Sequence, residues 1–260
     1  MDYQKIIYSV KDGIAEITLN DPEKRNALSL TMVEEIIHAL TSANTDDDAR
    51  VITITGAGDK AFCAGAQLAD LLDAPYIEIA KFNQSYVKMV QTFRKIKKPS
   101  TAMIKGFALA GGCGLTMYPT FAIATDTARF GLTEINVGAW SMMVSAILFA
   151  TVYRRKALEL LLTGEIISSQ NAERIGMINK VVPLDELEGA VSDLTGRLMT
   201  KSGATMGLGL EAYHMAYDME FEKATAYLSQ MATMVFSTND AREGLKAFLE
   251  KRKPKWSHRL

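Results

Sequence analysis

Cysteine is nearly absent from this sequence, with two residues, Cys63 and Cys113, among 260. Two thiols cannot build the disulfide framework of a small secreted fold. Neither belongs to a CxxC or Cys/His spacing that would hold a metal. A reducing, cytoplasmic setting is expected. Histidine is also scarce: His38 and His214 fall inside helical patterns and His258 lies in the tail. No nearby base is therefore paired with Cys63, as nucleophilic catalysis would require, and Cys63 reads as a small buried apolar thiol. A G-x-S-x-G elbow is missing, which weakens a serine-hydrolase reading. An excess of one charge is missing as well. With 29 basic and 30 acidic residues the net charge is -1, which argues against a nucleic-acid partner. There is no run of about 18 apolar residues, so no membrane span is expected. The first residues lack a basic segment followed by an apolar one, so no signal peptide is expected.

What the chain does have is an ordinary core-forming composition, 48% hydrophobic and 23% charged. Its length suits one large domain, or a domain with a smaller appendage. "KIIYSV" and "IAEITL", joined by "KDG", predict a hairpin. Ser29 is placed to cap the helical pattern "LTMVEEIIHALTSAN". "RVITIT" and "PSTAMIKG" predict strands, residues 76–97 a helix, and "GMINKVV" a further strand. A helical stretch from Ser141 to Gly164 is expected to break near residues 151–153. From Pro183 onward the pattern is helical: 184–201, 205–216, 219–236 and 239–251. Strands alternating with helices, then helices alone, predict an α/β core over 1–195 and a helical C-terminal region over 196–260.

Five stretches could carry chemistry. "TGAGDKA" places Gly56, Gly58 and Ala61 in a G-x-G-x-x-A pattern, but Gly65 interrupts the segment after it, so a plain strand-end loop is the better reading than a dinucleotide turn. "FCAGAQL" (62–68) and "ALAGGCG" (108–114) each follow a strand and each are expected to open a helix. Two such loops side by side would aim two backbone N–H donors at one point, the requirement for an oxyanion hole. Tight helix–sheet packing would explain the same glycines. Glu134, in the largely apolar "RFGLTEINVG", suits proton transfer. It could equally be a first-turn acid behind a Thr133 cap. The tail "EKRKPKWSHR" reads either as a frayed, solvated end or as a phosphate or partner site built from Lys251, Arg252, Lys253 and Lys255.

In their order these stretches resemble the enoyl-CoA hydratase/isomerase (crotonase) family. The matching segments are "LNDPEKRNALS", "RVITITGAGDKAFCAGAQL", "KKPSTAMIKGFALAGGCGL", "DTARFGLTEINVG", "RRKALELLLTGEIISSQNAERIGMINKVVP" and "DAREGLKAFLEKRKPKW". They cover most of the chain. The resemblance implies a crotonase-like spiral of repeated ββα units with a helical C-terminal trimerisation region, assembled as trimers or as hexamers made of two trimers. It implies an acyl-CoA thioester substrate, with no metal and no cofactor beyond the CoA of the substrate itself. The backbone N–H groups of Ala66 and Gly111 would hold the thioester oxygen. Lys24, Arg25 and Ala27 of "KRNAL", together with Ala64, Gln67 and Leu68, would contact CoA. Gly112 belongs to the tight helix entry beside the substrate. Phe248 and Lys251 would lie near the nucleotide end, contributed by a neighbouring subunit or by the same one.

Three positions depart from the hydratase pattern. Hydratases of the family carry two glutamates; the second matches Glu134, whereas the first falls on Gly114. Gln67 stands where aspartate is common. "GAWSMM" replaces a Pro-Gly-Ala-Gly-like run, and Trp140, Met142 and Met143 would make the acyl pocket more apolar. One carboxylate is enough to move a double bond, because it can take a proton from one carbon and return it to another. Double-bond isomerisation with Glu134 as sole acid/base is therefore favoured over hydration. The alternatives are a hydratase that holds its water by backbone groups, and a non-catalytic member that binds acyl-CoA, a partner protein or RNA. A dehalogenase, decarboxylase or hydrolase variant would need another acid; Asp70, Asp73 and Glu78 could border the site but read as solvated.

Overall fold

The computed structural model describes residues 2–67, 70 and 72–258. Leu68, one of the expected CoA contacts, lies outside the described residues. The chain opens with β1 (Ile6–Lys11) and β2 (Ile14–Leu19), paired antiparallel through Asp12 and Gly13. Both turn residues have positive φ, 50° and 82°, as a two-residue hairpin turn of the right twist demands. α1 (Leu30–Thr45) follows, its first turn capped by Ser29 Oγ, which accepts from the Met32 N–H at 3.2 Å. Met32, Val33, Ile36, Ile37 and Leu40 turn one stripe of α1 into the core.

Next come three repeats of one plan. β3 (Val51–Gly56) and β4 (Ala61–Cys63) lead to α2 (Tyr76–Lys95). β5 (Ser100–Ile104) and β6 (Phe107–Leu109) lead to α3 (Gly111–Met117). β7 (Phe121–Thr125) and β8 (Arg129–Gly131) lead through a 3-10 turn to α4 (Met142–Thr151). The first strand of each repeat joins one sheet and the second joins another. The larger sheet has six strands in the order β1-β2-β3-β5-β7-β10, where β10 is Lys180–Val182. The smaller has four, β4-β6-β8-β9, where β9 is Ile166–Ser168. From β2 onward the larger sheet is parallel. β3 is buried on both faces, as parallel strands under covering helices are. This is the expected spiral of ββα units.

Between and after these strands lie α5 (Arg154–Thr163), α6 (Ser169–Arg174), α7 (Leu187–Met199), α8 (Gly203–Ala216), α9 (Phe221–Ser237) and α10 (Asn239–Leu249). The helical stretch after Ser141 breaks at Val152 and Tyr153, as expected. "GMINKVV" forms a strand only over its last three residues. Through His258 the tail is not frayed. Asp240 accepts from Ser202 Oγ, the Ser257 N–H and Oγ, and the His258 N–H. Trp256 Nε1–H donates to the Thr200 carbonyl at 2.8 Å, and the Trp256 ring lies over Gly244. The apparent cationic cluster is partly neutralised: Arg252 pairs with Glu243 at 2.6 Å and with Glu250 at 2.6 Å. That pairing, reinforced by the Lys255 N–H, pushes the Glu243 carboxyl down to about 2. Among the described residues no helix is long and apolar enough to cross a membrane.

Candidate active site

The loops after β4 and after β6 meet. A Cβ on Gly65 would fall 2.6 Å from Ala110 Cβ and 3.1 Å from Gly111 N. Only a glycine at φ +93° lets the two backbones pass this closely. The helix expected to open after this loop falls on residues 68–71, of which only Asp70 is among the described residues; its N–H donates to Gln67 O at 3.0 Å. Ala66 forms an isolated parallel bridge with Leu28. In that bridge Leu28 N–H donates to Gly65 O at 2.7 Å and Gln67 N–H donates to Leu28 O at 3.0 Å. Pairing of this kind engages Leu28 and leaves the Ala66 N–H facing away. Gly111 does begin a helix, so its N–H has no intrahelical acceptor. Ala110, just before it, sits at φ 53° and ψ -128°. A non-glycine residue held there is strained, a condition concentrated at functional sites.

The loop containing "KRNAL" is tied to the first of these. Arg25 and Asn26 both have positive φ. Ala64 N–H donates to Arg25 O at 3.0 Å, and Lys24 Nζ donates to Gln67 Oε1 at 3.3 Å. Asn26 is fully buried and organises the turn. Its Oδ1 accepts from the Asp21 N–H, and its Nδ2 donates to Ala57 O and Ala61 O. A Cβ on Gly56 would sit 2.4 Å from Phe62 O and 2.8 Å from this Asn26 amide. Gly56 therefore serves packing, and Gly58, at φ 73°, serves a turn. Asn26 was not singled out from sequence; its signal was an asparagine, tolerant of left-handed backbone, in a tight turn.

A cavity of about 680 Å³ opens where the loops meet. Ala64, Ala66, Ala110 and Gly111 form one wall, and Glu134, Trp140 and Met143 line it too. α2 contributes Phe82, Tyr86 and Val87, none of them expected from sequence. A second cavity of about 400 Å³ adjoins it, sharing Ala66 and Phe82 and lined by Leu28, Gln67 and Lys81. Asp70 and Glu78 line this smaller cavity and Asp73 lines neither.

Glu134 stands in the first turn of a 3-10 helix, Thr133–Val137, that ends at Gly138 with φ 76°. Thr133 does not cap it; the capping position is Leu132, without a side-chain bond. Glu134 is the one carboxylate among the described residues lining the larger cavity. Its Oε2 is buried and has no hydrogen-bond partner, although buried polar atoms are nearly always paired. Trp140 is held by a bond from its Nε1–H to Ser145 Oγ at 3.2 Å.

Gly112 and Gly114 are buried behind the wall rather than lining it. A Cβ on Gly112 would be 2.2 Å from Cys63 O, while one on Gly114 would meet Val144 Cγ2 at 2.8 Å and Tyr86 Oη at 3.0 Å. Ala27 is buried beneath the loop it belongs to. Phe248 is 81% exposed on α10, and it and Lys251 line neither cavity. Burial pushes the thiols of Cys63 and Cys113 up to about 12, with Glu134 adding to the rise at Cys113. Neither is a nucleophile at neutral pH. The histidines lie elsewhere: His38 bonds with Tyr3, His258 accepts from the Gly203 N–H, and His214 lines neither cavity.

A family model described as enoyl-CoA hydratase/isomerase matches residues 9–259. The chain belongs to the enoyl-CoA hydratase/isomerase family. It is 34% identical to a crotonyl-CoA hydratase of Syntrophomonas wolfei, covering 97% of this chain and 98% of that protein. It is also 34% identical to the mouse mitochondrial enoyl-CoA hydratase domain-containing protein 3, covering 95% of this chain and 83% of that one. The crystal structure of an enoyl-CoA hydratase from Mycobacterium smegmatis superposes with a TM-score of 0.94 at 29% identity, covering 97% and 99% of the two chains. The fold is thus the crotonase fold, and the chain is an enzyme of the hydratase/isomerase type.

Proposed function

We propose that this enzyme moves a proton between carbons of an enoyl-CoA, isomerising its double bond, with Glu134 as the single acid/base. The observation that carries the reading is Glu134, the one carboxylate among the described residues lining the larger cavity, with its Oε2 buried and unbonded. The thioester oxygen would accept hydrogen bonds from the Ala66 and Gly111 N–H groups. Glu134 would then remove a proton from the carbon next to the carbonyl. The electron pair moves onto the oxygen as an enolate, stabilised by donors already aimed at it. Glu134 returns the proton to the γ carbon, the far end of the original double bond, as the enolate collapses and the double bond comes to lie next to the carbonyl. The bond order is redistributed with no net gain or loss of atoms, and no second carboxylate is used.

The acyl portion would lie against Trp140 and Met143, and the pantetheine arm would run past Ala66 into the smaller cavity beside Lys24, Arg25 and Gln67. No metal or redox cofactor enters this scheme; CoA enters as part of the substrate. Exposed Phe221, Leu228 and Phe236 on α9, and Leu245, Phe248 and Leu249 on α10, support assembly into trimers or hexamers through the helical C-terminal region. Two free, buried cysteines support a reducing, cytoplasmic location.

Relatives named as hydratases favour a second reading, in which backbone groups hold a water that adds across the bond. Product analysis in heavy water on 2-enoyl-, 3-enoyl- and hydroxyacyl-CoA substrates separates the two. Deuterium at carbon without net hydration is expected, and net addition of water would replace isomerisation by hydration. Glu134→Gln is expected to lower kcat by about 10²–10⁴-fold, the usual worth of a positioned acid/base. Full turnover by that variant on all three substrate classes would sink the assignment.

A further inference from the structure

Tyr86 occupies the space above the turn of α3 where a second carboxylate would stand. Its phenol is 2% exposed and rises from the core stripe of α2 formed by Phe82, Tyr86, Met89 and Phe93. Tyr86 Oη–H donates to the Gly111 carbonyl at 3.1 Å. The same oxygen lies 3.0 Å from where a Cβ of residue 114 would be, and Cε2 of its ring lies 3.4 Å from where a Cβ of residue 111 would be. The ring is boxed by Phe82 at 6.5 Å and by Tyr118 edge-on at 6.3 Å. A long side chain at position 114 and the Tyr86 hydroxyl exclude one another, so Gly114 and Tyr86 form one arrangement.

We propose that Tyr86 is a positioning residue for the oxyanion site: by hydrogen-bonding Gly111 O it fixes the start of α3, and with it the direction of the Gly111 N–H. The proposal rests on the reading of Ala66 and Gly111 as the two oxyanion donors. A short helix has little rigidity of its own at its first residue, and the strained Ala110 before it stores a tendency to relax. A neutral donor bonded to the first carbonyl opposes that rotation. Burial, aided by Tyr118, Cys63 and Glu134, raises the phenol well above its ordinary value, so it remains a donor throughout the working pH range. Small misplacements of a group aimed at a developing charge cost large factors in rate.

The test uses the full-length enzyme and cinnamoyl-CoA, whose conjugated thioester absorbs at longer wavelength when its carbonyl is polarised. The wild type is expected to red-shift the bound ligand. Tyr86→Phe keeps the ring and is expected to bind with a diminished shift. Its kcat on a 3-enoyl-CoA should fall about 10–100-fold, with KM changed far less. Replacing Tyr86 by 4-aminophenylalanine, which restores a donor, should recover the shift; this variant also carries the test if Tyr86→Phe fails to fold. A full shift and full kcat in folded Tyr86→Phe would overturn the role of Tyr86 while leaving the oxyanion reading intact. The same holds for a lost shift in the folded 4-aminophenylalanine variant. A wild type that binds cinnamoyl-CoA with no shift would overturn the oxyanion reading, and the proposal with it.

Discussion

Gly112 and Gly114 sit two residues apart on the same buried turn of α3, and their surroundings differ in kind. Gly112 faces backbone: a Cβ there would lie 2.2 Å from Cys63 O and 2.7 Å from Cys63 C. Gly114 faces side chains, Val144 and Tyr86. A backbone locked in β4 cannot move aside, whereas side chains can change rotamer. The first glycine is thus demanded by the crossing of the two loops that make the site. The second records a choice of which side chains fill the space beside the cavity. Two glycines of the same motif therefore carry different information, one about architecture and the other about chemistry.

The largest effect separating them is on stability. Gly112→Ala is expected to cost about 3 kcal/mol or more, the upper range for overpacking against unyielding atoms, as read by urea unfolding. A variant as stable as the parent would erase the distinction. Gly114→Ala is expected to cost about 1 kcal/mol, since the clash with Val144 is partly offset by the better helix propensity of alanine. Adding Val144→Ala should relieve that clash, and the double-mutant cycle should return a favourable coupling of about 0.5–1 kcal/mol. The same cycle built on Gly112→Ala should return none.

The two loops also carry one cysteine each, and here they should behave alike. Both thiols are held near 12 by burial, above the ordinary value of about 8.5 in the unfolded chain. A group whose folded value is raised adds stability that is complete below about pH 8.5 and is lost as pH climbs toward 12. Iodoacetamide at pH 8 is therefore expected to label neither Cys63 nor Cys113 in the native enzyme and both after denaturation. Labelling of one in the native state would show that its loop opens independently of the other.

Local chemistry made much of this legible beforehand. "KDG" specified a hairpin turn because aspartate and glycine accept positive φ. Ser29 declared the start of α1 because its hydroxyl has one use there. The alternation of strands and helices carried the α/β class, the family resemblance implied the spiral, and Glu134 stood out as an acid among apolar neighbours. Other features were hidden for physical reasons. Tyr86 repeats at i, i+4 with Phe82 and reads as a core aromatic, since its hydroxyl bond to Gly111 spans 25 residues of sequence. The C-terminal tail reads as a solvated basic end, yet Asp240 and Trp256 anchor it to α8 and the end of α7 through contacts no local pattern announces. The Ala66 N–H is turned outward by a single bridge to Leu28, a residue on the far side of α1 in the chain.

The sequence alone determined which groups this protein brings: one carboxylate suited to proton transfer, glycine-bearing loops after strands, and a glycine at 114 where the family resemblance implies an acid in hydratases. Backbone propensity and side-chain chemistry are local, so these could be read from neighbours in the chain. Tertiary structure alone decided what faces what. The parallel sheets set Gly65 against Gly111, turned Glu134 unpaired toward the cavity, and seated the Tyr86 hydroxyl over Gly114. Those relations come from packing between segments far apart in sequence, where distance in space, and not spacing along the chain, sets the energy.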